Sequence, residues 1–383
     1  MTFPRLSVLH ILPGLTVGGS ELTVFRLVQE ERRRGLDSRV LSLKSGGSLG
    51  RRFEDAKIPT RALNIQDGLG ALARWVWPGR NIFPPFDIVD GWLYSGNLMA
   101  GILSRGWPGS SLVWNLMQAN ISPAVNGAKT RFLMASGARF SGRWPDRIVC
   151  NSEAAKMAHE GIGYDSSKMT VIPNGVGTDC FQPNPEIRAQ FRREWHIPSD
   201  SIVLGHLARW DPQKDHRSLV EAFALLVGRG VNAQLFMAGP GVTNKNPLLM
   251  KWIQETGLSE RFHLLGPIDD APHFLAGLDI FCLSSVGESS SYALAEAMAC
   301  GVPAVVTDVG DSRALLGESG VVVAPSDPEA FCQGLHRLAS MGVDGRSRLG
   351  QMGRDRIVRD YSFQKMVDAY QALYRDIIRV REK

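Results

Sequence analysis

The sequence has few cysteines and none in close pairs. Five occur in 383 residues (Cys150, Cys180, Cys282, Cys300 and Cys332), and no CxxC spacing links them. That argues against a disulfide framework and against a zinc site, and makes a reducing cytosol the expected compartment. No apolar run reaches about 18 uninterrupted residues, so no membrane-spanning helix is expected. The opening, Met1–Val17, lacks a signal-peptide layout, because Pro13-Gly14 breaks its apolar stretch and no small-residue cleavage site follows. No G-x-G-x-x-G follows the first apolar run, which disfavours a dinucleotide cofactor. No DxD triplet stands in a strand–turn context and no His/Asp cluster has ligand spacing. The 40 glycines and 21 prolines show no G-X-Y period, which excludes collagen. Excess charge is small. With 43 basic and 38 acidic residues the net charge is +5, enough to favour a polyanionic ligand or an anionic surface but too little to argue for nucleic acid.

What is present is a globular composition, 44% hydrophobic and 21% charged, in a chain long enough for two domains at about 100–200 residues each. Continuous apolar runs bounded by turn residues predict strands at 6–12, 39–43, 87–90, 111–115 and 147–150. A second series is expected at 201–208, 233–238, 262–265, 279–283, 304–307 and 320–323. Helical segments lie between them, among them 217–227 and 292–300. Strands that are apolar throughout are buried on both faces, hence parallel sheets covered by helices. The expected fold is therefore α/β, with two Rossmann-like doubly wound domains and ligands at the carboxyl ends of the strands. The domains are placed at 1–180 and 181–361, separated near the polar stretch Gln182–Pro198. A last helix, within 362–383, carries Phe363, Met366, Val367, Tyr370, Leu373, Tyr374 and Ile377 on one face and is expected to pack back on the first domain.

The most informative segment is SSVGESSSYALAEAMACGVPAVVTDVGDS, residues 284–312. Glu288 sits in a loop, and Glu296 lies eight positions on, inside the following helix. Ser289, Ser290 and Ser291 supply N–H groups and hydroxyls at the helix start, where an anion is favoured. A carboxylate deeper in the helix can hold paired ribose hydroxyls, and one in the loop can face a sugar ring. For the serines alone, helix capping is the simpler reading. It does not account for two glutamates at this spacing before Ala-Met-Ala-Cys-Gly-Val-Pro. A second cluster is Arg209 and Lys214 in HLARWDPQKDH, five residues apart after a strand. The first offers a planar fork and the second a point charge, both suited to phosphate.

The pair of glutamates followed by EAMACGVPAVVTDVGD resembles the donor-binding signature of the family 4 retaining glycosyltransferases. Gly18-Gly19-Ser20-Glu21, Trp92-Leu93-Tyr94, Cys150-Asn151-Ser152, Ile172-Pro173-Asn174-Gly175-Val176 and the Arg209/Lys214 pair resemble the rest of the pattern, over roughly residues 5–375. The resemblance implies the GT-B architecture, two Rossmann-like domains facing a central cleft, the first serving the acceptor and the second the nucleotide sugar. It implies transfer of a hexose-type sugar from a nucleotide-diphosphate sugar with retention, through a front-side displacement in which the leaving phosphate takes the acceptor's proton. No metal and no resident cofactor are needed, since Arg209 and Lys214 stabilise the growing charge on the leaving diphosphate. Glu288 binds the sugar's hydroxyls rather than acting as nucleophile, and Glu296 holds the ribose. Gly266 and Ile268 stand where relatives contact the base through main-chain groups. Gly18 and Gly19 let the backbone approach a substrate, with the helix start at Ser20 aimed at the phosphates. A plain tight turn explains the two glycines equally.

Glu21, Gln118 and Asn174 are candidate contacts to acceptor or sugar, with helix capping an equal reading for Glu21. The sequence also departs from the pattern. Relatives carry Gly-Phe-Pro or similar after the first glutamate, where this chain has Ser289-Ser290-Ser291. Relatives often have a basic residue or His where this chain has Met117, Gln118 and Asn120. His10 and His206 read as core histidines. Glu30-Glu31-Arg32-Arg33-Arg34 reads as a solvated helix end. Arg131, Arg139, Arg143 and Arg147, near Phe132, Leu133, Met134, Phe140 and Trp144, fit either an anionic membrane surface or a solvated helix with an apolar core face. The expected product is a surface polysaccharide, lipopolysaccharide or glycolipid, made on a glycan or lipid-linked acceptor by a cytoplasmic enzyme, peripheral on the membrane in the first of those two readings. Two further readings are a non-catalytic nucleotide-sugar-binding or scaffold protein, and an epimerase or hydrolase on the same frame.

Overall fold

A computed structural model describes residues 6–16, 18–65, 84–123 and 125–381. Residues 1–5 and 17 of the opening segment read above for a leader lie outside that set. Among the described residues there are two sheets, and every strand pairing in them is parallel. The first contains β1 (Ser7–Leu12), β2 (Asp37–Ser42), β3 (Thr60–Ala62), β4 (Ile88–Trp92), β5 (Ser111–Leu116), β6 (Arg147–Cys150) and β7 (Met169–Val171), in the order β3-β2-β1-β4-β5-β6-β7. The second contains β8 (Ile202–Leu207), β9 (Ala233–Ala238), β10 (Phe262–Gly266), β11 (Ile280–Leu283), β12 (Ala304–Thr307) and β13 (Gly320–Val323), in the order β10-β9-β8-β11-β12-β13. Both are doubly wound. The order reverses between β1 and β4 in one sheet and between β8 and β11 in the other, and such switch points open a crevice at the strands' carboxyl ends.

The apolar runs make these strands for the reason expected. Every residue of β4, β5, β11 and β12 is buried. The chain divides into two contact units, 1–174 with 364–383, and 175–363. Near the crossings, Val176 N–H donates to the Tyr361 carbonyl (2.9 Å) and Phe363 N–H to the Val176 carbonyl (2.8 Å). No helix among the described residues is long and apolar enough to cross a membrane.

In the first unit, helix Leu93–Ser104 starts directly at the end of β4. Leu93 takes a left-handed φ of 60° to make that turn. Gly96 then passes so near β1 that a Cβ there would lie 2.5 Å from the Ile11 carbonyl oxygen. Helix Phe363–Arg381 lies against the same sheet. Tyr370 Oη donates to Asn115 Oδ1 (2.8 Å) and Tyr374 Oη to Asp90 Oδ2 (2.7 Å).

Those bonds belong to a buried polar cluster. His10, Glu31 and Asp90 are fully buried. His10 Nε2 lies 2.9 Å from Glu31 Oε2, and Nδ1 lies 3.3 Å from Asp90 Oδ2. Burial works against a charged imidazole, but the two carboxylates prevail and the His10 pKa rises to about 10. The Glu30–Arg34 run is therefore not a solvated helix end. Glu31 holds His10, and Glu30 is buried under Arg33 (2.6 Å) and Arg34 (2.8 Å). Arg34 reaches on to Asp368 and Gln364 of the last helix, both at 2.6 Å.

Candidate functional site

The carboxyl ends of β8 and β11, neighbours at the second switch point, bring three of the expected residues into one place. The loop after β8 carries Arg209 and Lys214, and the loop after β11 carries Glu288. Lys214 Nζ lies 2.5 Å from Glu288 Oε1, which also accepts a hydrogen bond from the Ser285 hydroxyl (2.8 Å). The two loops are tied together by Ser284 Oγ donating to the Lys214 carbonyl (2.9 Å) and by Val286 N–H donating to the Gln213 carbonyl (2.8 Å). The Lys214 side chain is 15% exposed and that of Glu288 10%, while Arg209, at 60%, stands in solvent beside them. Arg209 Nη2 contacts Asp211 Oδ2 (2.7 Å). Burial raises the Asp211 carboxyl, but the Gln213 N–H and the Arg209 guanidinium outweigh it and the net shift is downward. Each cation thus rests on a carboxylate.

Two imidazoles underlie the Lys214 loop. His206 Nδ1 bonds the Cys282 carbonyl (2.9 Å), and its ring lies 5.0 Å from that of His216. Both are buried. Burial pulls His206 down to about 4, with Lys214 adding to the fall, and pulls His216 to about 2, with His206 and Lys214 adding. Both rings are neutral at physiological pH, so positive charge here comes from Lys214 and Arg209.

Ser291 caps helix Tyr292–Ala299 by accepting the Leu294 N–H (3.3 Å), as the simpler reading of the serines had it. Ser289 and Ser290 stay in the loop before it, and Glu296 lies half-buried in the middle of the helix. The loop after β12 closes on this one. Asp311 N–H donates to the Ser289 carbonyl (3.0 Å), and Gly310, at φ 53°, passes where a Cβ would come within 2.3 Å of the Glu288 carbonyl oxygen. Only glycine fits that approach. Gly266 ends β10, two strands from β8. Its carbonyl accepts from Gly239 N–H (2.7 Å) and its N–H donates to Val242 (3.0 Å), while Ile268 packs against the core.

The other expected residues lie in the first unit. Helix Gly19–Arg33 begins at Gly19, one residue before the start expected at Ser20, and Gly18 precedes it with extended backbone. A Cβ at Gly18 would meet Glu21 Oε2 at 2.5 Å, so the Glu21 carboxylate folds back over the helix start. Burial raises its pKa, against a bond to its own N–H. Gln118 Nε2 donates to the Asn120 carbonyl (2.5 Å) and to Asn126 Oδ1 (2.7 Å), which braces the loop after β5. Asn174 is half-buried at the end of the first contact unit. In the basic aromatic segment, Phe132 is 69% exposed but Met134 is buried. Phe140 stacks on Trp144 (4.2 Å), and Arg105 covers Trp144 (3.8 Å), so those rings face inward rather than outward. Sequence reasoning missed Ser285, which orients Glu288, and Gly310. Ser285 is one of several serines in its segment, and only its place three residues before Glu288 marks it.

Comparison with known proteins fits this geometry. Residues 17–179 match the family model described as Glycosyltransferase Family 4, and residues 201–341 the one described as Glycosyl transferases group 1. The chain is 28% identical over 270 residues to the lipopolysaccharide core biosynthesis glycosyltransferase LpsE of Rhizobium meliloti (strain 1021), covering 70% of this chain and 75% of that one. It is 25% identical over 244 residues to the UDP-Gal:alpha-D-GlcNAc-diphosphoundecaprenol alpha-1,3-galactosyltransferase of Escherichia coli, covering 62% of each. The crystal structure of Anabaena Alr3699/HepE in complex with UDP superposes with a TM-score of 0.84 at 19% identity, over 97% of this chain and 100% of that one. The fold is that of the GT-B glycosyltransferases. With both of its units matched, the chain belongs to the family 4 glycosyltransferases.

Proposed function

We propose that the protein transfers a hexose-type sugar, with retention, from a nucleoside-diphosphate sugar to a glycan or lipid-linked acceptor bound by the first unit, in the assembly of a polysaccharide, lipopolysaccharide or glycolipid. The observation that carries this reading is the Lys214–Glu288 contact beside Arg209 at the second switch point. A cation pair and a sugar-binding carboxylate lie where a diphosphate and its sugar would meet. When the anomeric bond breaks, negative charge grows on the diphosphate. The Lys214 ammonium and the Arg209 guanidinium, freed from Glu288 and Asp211, take up that charge with no metal and no resident cofactor. Glu288 turns to the sugar hydroxyls, held by Ser285. The N–H groups at Ser289–Ser291 face the phosphates, Glu296 holds the ribose, and main-chain groups near Gly266 and Ile268 face the base. The UDP-Gal donor in the E. coli relative's name and the UDP in the Anabaena complex support a uridine nucleotide.

A melting-temperature screen against UDP-, GDP- and ADP-sugars, run in EDTA, tests this. A UDP-sugar at 100 times its Kd is expected to stabilise by about 2.7 kcal/mol, roughly 5–10 °C for a unit of this size. No shift with any nucleotide sugar, or a shift only after a divalent cation is added, overturns it.

The first unit also supports contact with an anionic membrane. No Asp or Glu occurs between Asp90 and Asp146. Lys129, Arg131, Arg139, Arg143 and Phe132 are exposed, all but Arg143 on helix Ala128–Ser141. At about 1 kcal/mol per basic residue near the surface, Lys129→Glu with Arg131→Glu is expected to weaken binding to phosphatidylglycerol-containing vesicles about 30-fold or more. Sedimentation with vesicles measures this, and equal binding by the variant or by the wild type to neutral vesicles contradicts it.

A further inference from the structure

A cavity of about 240 Å³ opens in the second unit at the end of the sheet opposite the candidate site. Asp279, just before β11, and Pro303, just before β12, line it, whereas Glu288 and Lys214 follow the strands' carboxyl ends. Its wall is partly apolar, from Pro183, Leu278, Val302 and Val343. Its charges do not balance. Arg188 and Arg346 line it with Asp279 as the single acid, and a third cation, Arg192, stands behind Asp279.

Asp279 is already fully engaged. It takes Arg188 on Oδ1, and on Oδ2 it takes Arg192 (3.1 Å) and the Val203 N–H (2.7 Å). Arg346 is left without an acid. It is 9% exposed, and only its Nη1 is bonded, to the Ala339 carbonyl (3.0 Å) and, more weakly, to the Leu338 carbonyl (3.5 Å). Its Nε and Nη2 hydrogens have no partner among the described residues. An arginine only 9% exposed, with the three hydrogens of Nε and Nη2 unused, in a cavity of net positive charge, is a binding element for an oxyanion. Burial lowers the Arg346 pKa, with Asp279 opposing the fall and Arg188 and Arg192 adding to it.

We propose that this cavity is a second ligand site, separate from the sugar-transfer site, for a compact oxyanion on a short apolar body. The ligand's phosphate or carboxylate would bond Arg346 Nε and Nη2 beside Arg188, and its carbon atoms would lie against Leu278, Val302 and Val343. Calorimetry on the full chain tests this with two probes, glycerol 3-phosphate and succinate, which separate a phosphate ligand from a carboxylate one. At least one is expected to bind at millimolar concentration or below. Arg346→Gln is expected to weaken that binding about tenfold or more, as for loss of a charge-assisted bond. Ser347→Asp, at an exposed lining position, sets a like charge at the mouth without touching the buried arginine. It is expected to weaken binding comparably even if Arg346→Gln does not fold. Binding is expected to survive in Arg209→Ala/Lys214→Ala. Failure of both probes to bind, equal binding by the wild type and Ser347→Asp, or loss of binding in the Arg209/Lys214 double variant overturns the proposal.

Discussion

Arg209→Ala is expected to lower the rate of sugar transfer by about 10²–10³-fold, the effect of removing one preorganised charge donor at a developing anion. The same change should leave stability nearly untouched. Arg209 is 60% exposed and its partner is a nearby loop carboxylate, Asp211. An exposed pair of this kind contributes about 0–1 kcal/mol, so the melting temperature should move by no more than about 2–4 °C. Lys214→Ala should lose at least as much activity, but it also strips Glu288 of its ammonium, leaving only the Ser285 hydroxyl on Oε1. Some stability should go with it, and Glu288→Gln in the Lys214→Ala background should restore that stability without restoring transfer. Initial rates and melting curves on the same preparations measure both. Parallel loss of rate and stability in Arg209→Ala contradicts a role at the leaving group.

His10→Ala should produce the largest loss of stability, about 3–5 kcal/mol, because it leaves Glu31 and Asp90 buried without their cation. For a unit of this size that is roughly 6–20 °C in melting temperature. The pH dependence has a definite sign. The folded pKa, about 10, lies above the unfolded value near 6.5. The contribution of the charged imidazole is therefore full below pH 6.5 and is lost progressively as pH rises through about 10. Melting curves of the wild type and His10→Ala should converge over that range. A constant gap from pH 6 to pH 10 would mean that His10 is neutral in the folded protein.

The strands were legible where they are buried on both faces. SLVWN, AQLFMA and AVVT read as continuous apolar runs and form strands at those places. β3 and β7 were not read as strands. Each has three residues, stands at a sheet edge and has no buried residue, so neither carries that signature. The buried charges were illegible for a different reason. Glu31 looks like one of five charges at a helix end, and only its partner His10, 21 positions away, takes it out of water. Phe140 and Trp144 fitted a membrane face as well as an apolar core face because the ring and the guanidinium that cover Trp144, from Trp114 and Arg105, come from distant segments. At the candidate site, Arg209, Lys214 and Glu288 were legible as residue types at the ends of strands. Their mutual contact, the Ser285 bond and the need for glycine at 310 depend on which strands are neighbours, and spacing along the chain does not carry that.

The most direct test of a diphosphate held by Arg209 and Lys214 is calorimetric. The affinity for UDP is compared with that for UMP, in the wild type and in Arg209→Ala/Lys214→Ala. The account predicts that UDP binds the wild type far more tightly than UMP does, and that the double variant abolishes this advantage while leaving UMP binding nearly unchanged. An equal UDP advantage in both proteins would contradict it.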